Sequence, residues 1–217
     1  MEKVKIKKNT TPKFAYGARD PLPVMEHFLT LQGEGNWTGT AAYFIRLAGC
    51  DVGCHWCDVK ESWGVAAEQH MRVLDLIEIV IAHKAQHVVI TGGEPTIYDL
   101  RPLVQSLHSL GIKVHLETAG VHPLLGDLDW VCFSPKKFKA PLDEYYTNAH
   151  ELKVVIYNRH DLQWAESHAS RCADHVKLFL QPEWDRREKM LPMIIAYIQN
   201  HPHWRLSQQT HKYMGIR

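Results

Sequence analysis

The stretch "MRVLDLIEIVIAHKAQHVVITGGEP", residues 71 to 95, contains a helical pattern followed by a buried strand. Its apolar residues recur at the spacing of one helix face, at Val73, Leu76, Ile77, Val80 and Ile81. The apolar run "HVVIT", residues 87 to 91, then ends at a pair of glycines. A helix that leads directly into a buried strand predicts one unit of a mostly parallel sheet with crossover helices.

The same unit repeats towards the C-terminus. "YDLRPLVQSLHSLG" (98–111) predicts a helix that ends at Gly111, and "KVHLET" (113–118) predicts the next strand. Three more strands are predicted at 129–135, 151–157 and 175–182, and two more helices at 161–170 and 184–200. Pro192 lies inside the last helical pattern, so we expect that helix to kink or to begin late.

Towards the N-terminus the pattern changes to two strands in succession. "VMEHFLTLQ" (24–32) and "AAYFIRLAG" (41–49) predict strands joined by the glycine-bearing turn "GEGNWTG". The residues before them are polar and carry four lysines between positions 3 and 8. We therefore expect a flexible basic arm at residues 1–23 and a single domain at residues 24–217.

Composition narrows the class of protein. The 217 residues carry 25 Lys and Arg against 24 Asp and Glu, which gives no argument for a nucleic-acid partner. No apolar stretch is long enough for a membrane span, and the first residues lack the apolar core of a signal peptide. Three of the five cysteines are clustered, which favours a cytoplasmic metal or redox site over a disulfide framework.

The clustered cysteines lie in "GCDVGCHWCDVKESW", residues 49 to 63, as Cys50, Cys54 and Cys57. They could be unrelated thiols, although free cysteines are more often buried singly. A zinc site would need a fourth ligand, such as Cys132, Cys172 or one of the histidines. A four-iron cluster held by three thiolates would instead leave one iron open to a substrate or cofactor.

The C-x3-C-x2-C spacing, with Trp56 before the third cysteine, resembles the radical S-adenosylmethionine (radical-SAM) enzymes. "HVVITGGEP" is a second motif similar to that superfamily's, although alone it could be a tight turn. Two adjacent residues without Cβ would let a ligand lie against the end of the strand. The resemblance implies a 4Fe-4S cluster and S-adenosylmethionine. Because the chain has few strand–helix units, it also implies an α/β fold of an abbreviated, open (βα) partial-barrel type.

Polar residues follow several predicted strands, as a cofactor-binding rim requires, although each alone could be an ordinary loop residue. The resemblance implies that the cysteines bind the cluster and that ten residues contact the cofactor: Trp56, Asp58, Gly92, Gly93, Glu94, Glu117, Ser134, Pro135, Lys136 and Gln181.

"TLQGEG" (30–35), "FIRLAGC" (44–50) and "LSQQTHKYMGIR" (206–217) together resemble the 7-carboxy-7-deazaguanine synthase family. That resemblance implies ring contraction of 6-carboxy-5,6,7,8-tetrahydropterin with loss of ammonia, in queuosine or other 7-deazapurine biosynthesis. It also implies a flavodoxin or ferredoxin-type reductant, a homodimer and a cytoplasmic location. An activating enzyme that installs a glycyl radical on a partner protein and a zinc-binding interaction module are the alternatives.

The pterin would present N–H donors and a carboxylate. Backbone carbonyls or a carboxylate on the turn could accept the donors, and Arg46 could bind the carboxylate through two hydrogen bonds. A simple hairpin turn and a surface arginine are the competing interpretations. The substrate-binding residues that the resemblance implies are Leu31, Gln32, Gly33, Glu34, Arg46, Thr91, His211 and Arg217, the last through its terminal carboxylate.

Val59 departs from the family, which has Thr or Ser there as a ligand of Mg²⁺. Valine offers no oxygen to a cation that requires oxygen ligands. Water, Glu61 or Ser62 could replace the missing ligand, or Arg46 alone could neutralise the substrate carboxylate. We expect weak dependence on Mg²⁺.

Overall fold

The computed structural model describes residues 21–217, so most of the predicted basic arm lies outside the described residues. Residues 21–23 belong to β1, so the prediction that they are part of the arm is wrong. The strands are β1 (Pro21–Leu31), β2 (Ala41–Leu47), β3 (His70–Arg72), β4 (His87–Gly92), β5 (Lys113–Thr118), β6 (Trp130–Phe133), β7 (Glu151–Ile156), β8 (Lys177–Pro182) and β9 (Trp204–Leu206).

Six α-helices connect or follow these strands. They are α1 (Val73–Ala82), α2 (Arg101–Ser109), α3 (Tyr145–Asn148), α4 (His160–Ala169), α5 (Arg187–Asn200) and α6 (Thr210–Met214). The four longer helices fall within or overlap the predicted patterns. Helix α5 begins five residues before Pro192 and continues through it, so the proline does not mark its start. None of the helices between residues 21 and 217 has both the length and the apolar character needed to cross a membrane.

All nine strands join one sheet in the order β3-β1-β2-β4-β5-β6-β7-β8-β9. Strand β1 pairs antiparallel with β2 and β3, and every pair from β2–β4 to β8–β9 is parallel. The two ends of the sheet, β3 and β9, do not pair with each other. The structure therefore confirms the predicted open partial barrel.

Two apolar cores lie under the helices. One packs α1 and α2 against β1, β2, β4 and β5, and its centre includes Ile45, Leu76 and Leu103. The other packs α4 and α5 against β6, β7 and β8, and its centre includes Phe133 and Ile194. Because successive strand residues point to opposite faces, the strand residues between these core positions are left to face the concave side of the sheet.

A β-bulge interrupts the pairing of β1 with β2. Val24 lies opposite Leu47, whereas Glu26 lies opposite Arg46, so one residue of β1 has no partner between them. Val24 and Leu47 belong to the first core, and Glu26 is hydrogen-bonded to Arg46.

Candidate active site

A cavity of about 270 Å³ opens at the carboxyl ends of the parallel strands. Every residue that the sequence assigns to the cluster, cofactor or substrate lines it, except Pro135. These residues are Leu31, Gln32, Gly33, Glu34, Arg46, Cys50, Cys54, Trp56, Cys57, Asp58, Thr91, Gly92, Gly93, Glu94, Glu117, Ser134, Lys136, Gln181, His211 and Arg217. The structure thus brings together segments that are far apart in the sequence, from the first strand to the last residue.

Strand β2 sends alternate side chains into the cavity, as predicted for Arg46. Phe44 and Arg46 line the cavity, while Tyr43, Ile45 and Leu47 are buried in the first core. Arg46 Nε donates to Glu26 Oε1 at 2.8 Å, and Arg46 retains a side-chain exposure of 20%. Its terminal nitrogens are therefore free to bind a carboxylate.

The three clustered cysteines line one wall together. Cys54 is buried, and Cys50 and Cys57 are half-buried and pack with Val52 and Val121. Burial raises the pKa of Cys50 and raises that of Cys54 to about 11, so a positive metal centre is needed to hold them as thiolates. This donor set fits an iron–sulfur cluster.

The remaining cysteines are placed elsewhere. Cys132 is fully buried in β6, and Cys172 follows α4, so neither lines the cavity. Among residues 21–217, no three His, Cys, Asp or Glu side chains are grouped closely enough to hold a single metal ion. The zinc-module alternative thus gains no support from the described part of the chain.

Gly92 and Gly93 line the cavity, but their lack of Cβ serves a second purpose. A Cβ on Gly92 would lie 2.1 Å from the carbonyl oxygen of Leu47, and one on Gly93 would lie 2.2 Å from that of Gly49. The glycines therefore allow the end of β4 to approach the end of β2 and the cysteine loop. Packing within the protein explains them, in addition to any access that they give to a ligand.

The carboxylate of Glu94 is occupied by hydrogen bonds within the protein. It accepts hydrogen bonds from the amide and hydroxyl of Thr96, the hydroxyl of Thr118 and the amide of Ala119, at 2.5–3.1 Å. These bonds fix the end of β4 to the end of β5. Because the side chain is 1% exposed, a ligand would meet the backbone of Glu94 and not its carboxylate.

Three more polar residues lie on the rim formed by β6 and β8. Lys136 Nζ donates to the hydroxyl and the carbonyl of Ser134, both at 2.6 Å, and burial lowers the pKa of this lysine. Gln181 Oε1 accepts from Ser207, which leaves its amide nitrogen free for a ligand. Pro135 is buried beside Ser134 and does not face the cavity.

Lys153 and Gln209 line the cavity although the sequence analysis did not single them out. Lys153 Nζ lies 2.6 Å from Glu34 Oε2 and 2.8 Å from Glu117 Oε2, and Gln209 donates to Glu34 Oε1 at 2.8 Å. A lysine within the predicted strand "ELKVVIY", directly before the apolar run "VVIY", was the signal that could have identified the first of them.

The residues near Val59 do not fit a magnesium ion. Asp58 Oδ2 accepts from Lys212 at 2.7 Å and from Gln209 at 3.3 Å, so an ammonium group already neutralises it. Ser62 is 1% exposed and donates its hydroxyl to the carbonyl of Val59, while Glu61 is exposed and does not line the cavity. Neither suggested replacement ligand is therefore placed for the role.

The C-terminal residues close the cavity over β1. The imidazole of His211 packs on Gly33, where a Cβ would lie 2.1 Å from Nδ1. Thr30 donates to the carbonyl of Arg217 at 2.7 Å, and the Arg217 guanidinium lies 4.6 Å from the ring centre of Phe28 and pairs with Glu26. The chain end is thereby fixed at the cavity.

Comparison with known proteins agrees with this geometry. The sequence profile of the radical SAM superfamily matches residues 44–141. A 7-carboxy-7-deazaguanine synthase from Flavobacterium psychrophilum is 52% identical over 90% of this chain and 92% of its own length, and one from Synechocystis is 48% identical over 90% and 93%. The crystal structure of QueE from Escherichia coli superposes with a TM-score of 0.75 at 31% identity, over 88% of this chain and 93% of that one.

Proposed function

Because the chain belongs to the 7-carboxy-7-deazaguanine synthase family, we propose how its cavity is divided among cluster, cofactor and substrate. The protein is a radical-SAM lyase that contracts the ring of 6-carboxy-5,6,7,8-tetrahydropterin to give 7-carboxy-7-deazaguanine with loss of ammonia. This assignment replaces the glycyl-radical activating enzyme and the zinc module. When bound, the cluster and S-adenosylmethionine supply the hydrogen-abstracting radical chemistry of the superfamily.

The observation that supports the division is the placement of unlike groups on different walls of one cavity. Cys50, Cys54 and Cys57 form the wall that holds the cluster. The carboxyl ends of β4, β5, β6 and β8 surround the cofactor, with Ser134, Lys136 and Gln181 as polar contacts. Ligands of parallel α/β sheets bind at such strand ends.

The substrate occupies the space between β1, β2 and the chain end. Arg46 and Arg217 both pair with Glu26, and they line this space together with Glu34. Arg46 binds the substrate carboxylate, and Phe28 and Phe44, whose rings stack at 5.6 Å, provide an apolar surface for a flat heterocycle. Carbonyl and carboxylate oxygens of residues 31–34 accept the N–H donors of the pterin.

Three further features belong to the proposal. A flavodoxin or ferredoxin-type protein supplies the electrons, as the family suggests. The enzyme is a cytoplasmic homodimer, as its family suggests. The substrate carboxylate is neutralised by Arg46 without a protein-bound Mg²⁺, since the oxygen ligands for that ion are not assembled.

Anaerobic reconstitution tests the proposed function. Purified protein is loaded with iron and sulfide, reduced, and incubated with S-adenosylmethionine and 6-carboxytetrahydropterin. We expect a new chromatographic peak with the mass and absorbance of 7-carboxy-7-deazaguanine, and no such peak with Cys50→Ala. Reconstituted protein that cleaves S-adenosylmethionine but leaves the pterin unchanged would show that the substrate is a different one.

A further inference from the structure

Strand β7 buries a charged side chain in the floor of the cavity. Lys153 is 4% exposed, and its ammonium group bridges Glu34 on the turn after β1 and Glu117 at the end of β5. A buried charge is strongly destabilising unless it is paired and hydrogen-bonded. The side chains of Glu34 and Glu117 keep exposures of 17% and 16% because they face the cavity.

The two carboxylates have acceptor positions left over. A carboxylate offers about four lone-pair positions. Glu34 accepts from Lys153 and Gln209, and Glu117 accepts from Lys153 and, at 3.1 Å, from Gln32. His115 Nε2 lies 3.3 Å from Glu117 Oε1 but lacks the alignment of a hydrogen bond. The two carboxylates can therefore accept further hydrogen bonds from a ligand in the cavity.

This part of the cavity carries more negative than positive charge, since two carboxylates share one ammonium group. Burial alone would raise the pKa of Glu34 and of Glu117, but the charge of Lys153 lowers both below their usual values. Burial alone would lower the pKa of Lys153, but the neighbouring carboxylates of Glu117 and Glu34 raise it. Lys153 thus favours the charged state of both carboxylates, and each carboxylate favours the charged state of Lys153.

We propose that Lys153 is a positioning residue for substrate recognition, and this proposal rests on the proposed function. Lys153 holds Glu34 and Glu117 as a pair of carboxylates whose free lone pairs accept the N–H donors of the 2-amino-pyrimidinone edge of the pterin. This assigns the Glu117 carboxylate to the substrate and not, as the resemblance implied, to the cofactor. Arg46, which lines the same cavity, binds the carboxylate-bearing end of the same molecule. A heterocycle that presents an acceptor in place of the 2-amino group meets unpaired negative charge and is rejected.

Kinetics of Lys153→Met test the first part of the proposal. The variant keeps the length of the side chain and removes the charge, so the two carboxylates repel each other and one takes up a proton. We expect the KM for the pterin to rise about 30-fold, while the KM for S-adenosylmethionine and its uncoupled cleavage change by less than about threefold. Lys153→Arg should recover part of the loss. The control is Lys113→Met, an exposed lysine on β5 whose substitution should change neither constant.

Ligand discrimination tests the second part. The dissociation constants of the pterin and of its analogue with an oxo group at position 2 are measured on reconstituted enzyme without reductant. Wild-type protein should prefer the pterin by about 100-fold, and Lys153→Met should reduce this ratio below about tenfold. An unchanged ratio in a folded variant would overturn the proposal. Equal binding of the two ligands by the wild-type protein would also overturn the proposal. This outcome can be measured even if the variant does not fold. Turnover of the pterin by the wild-type enzyme tests the proposed function, and it does not depend on this ratio of dissociation constants.

Discussion

At the scale of single residues, the five cysteines of the chain differ in their surroundings. Cys54 lies in a loop between Val52 and Val121 at the cavity, whereas Cys132 is enclosed in β6 next to Glu117 and Lys153. Cys132 is fully buried and does not line the cavity, so it is not placed to bind a cluster there. The difference can be measured as iron content.

We predict that reconstituted wild-type protein carries about four irons per chain and that Cys50→Ala, Cys54→Ala and Cys57→Ala each lose the cluster. Cys132→Ala and Cys172→Ala should keep the full complement, because neither lines the cavity. Colorimetric iron analysis and the visible absorption spectrum provide the measurement. Loss of iron from Cys132→Ala in a folded protein would refute the three-thiolate site.

For Arg46→Ala we predict that the KM for the pterin rises by about tenfold or more, since a charge-assisted contact to a carboxylate is lost. Uncoupled cleavage of S-adenosylmethionine should stay nearly unchanged, because Arg46 lies on the substrate wall. The matched control is Arg72→Ala, which removes an exposed arginine that pairs only with Asp75. Equal losses of pterin turnover and of uncoupled S-adenosylmethionine cleavage would show that Arg46 does not act in substrate binding.

The third prediction concerns magnesium. With Val59 in place of a hydroxyl residue and Asp58 paired with Lys212, turnover should change less than about twofold between chelator-treated enzyme and millimolar Mg²⁺. Val59→Thr should make turnover more dependent on Mg²⁺. Steady-state rates at saturating pterin provide the test, and wild-type activity that disappears with chelator would show that other oxygens bind the ion.

At the scale of elements, the structure shows that α6 and the residues after it form one wall of the cavity. Thr210 donates from its amide and its hydroxyl to the carbonyl of Gly33, both at 2.9 Å, and this anchors α6 to the turn after β1. The sequence indicated the contribution of this segment only through resemblance, since a helix of five residues has too little periodicity to be predicted.

A tag at the C-terminus should therefore impair binding. Residues added after Arg217 would displace its contacts with Thr30 and Phe28, which fix it at the cavity. We expect the KM for the pterin to rise about tenfold, with the same tag at the N-terminus as control. Unchanged kinetics with a long C-terminal tag would exclude a role for the chain end.

At the scale of the whole molecule, much of the fold follows from the sequence because its parallel strands are short apolar runs between amphipathic helices. Strand β5 begins and ends where it was predicted. The sequence did not predict β3, β9 or α3, which have three or four residues each and are fixed by their neighbours. Nor could it show that Glu34, Glu117 and Lys153 meet, since only the curvature of the sheet brings them together.

The stability of the whole protein should depend on pH in a range above the pKa values of its carboxylates. Burial, followed by a nearby positive charge, lowers the pKa of His87 and of His168 from 6.5 to about 4. Between these values the unfolded chain binds more protons than the folded one. The stabilisation is complete above pH 6.5 and is lost as the pH falls towards 4, by up to about 1.4 kcal/mol per pH unit for each histidine.

Urea unfolding between pH 7 and pH 5 measures this effect. The free energy of unfolding of the wild type should decrease as the pH falls from 7 to 5, and the double variant His87→Gln/His168→Gln should show a smaller slope. His70→Gln, at an exposed position, should keep the wild-type slope. A slope in the double variant equal to that of the wild type would assign the dependence to other groups.

The β-bulge in β1 has a consequence for changes in chain length. In a regular strand Val24 and Glu26 would point to the same face, but the bulge lets Val24 enter the helix-covered core while Glu26 meets Arg46. Deletion of Met25 would only remove the bulge, because Val24 and Glu26 would then be adjacent and would still point to opposite faces. A deletion elsewhere in β1 would instead turn the residues on one side of it to the wrong face of the sheet, because a one-residue shift reverses the face of every side chain. Insertions and deletions during evolution should thus be tolerated in the turns of this protein and selected against within its first strand outside the bulge.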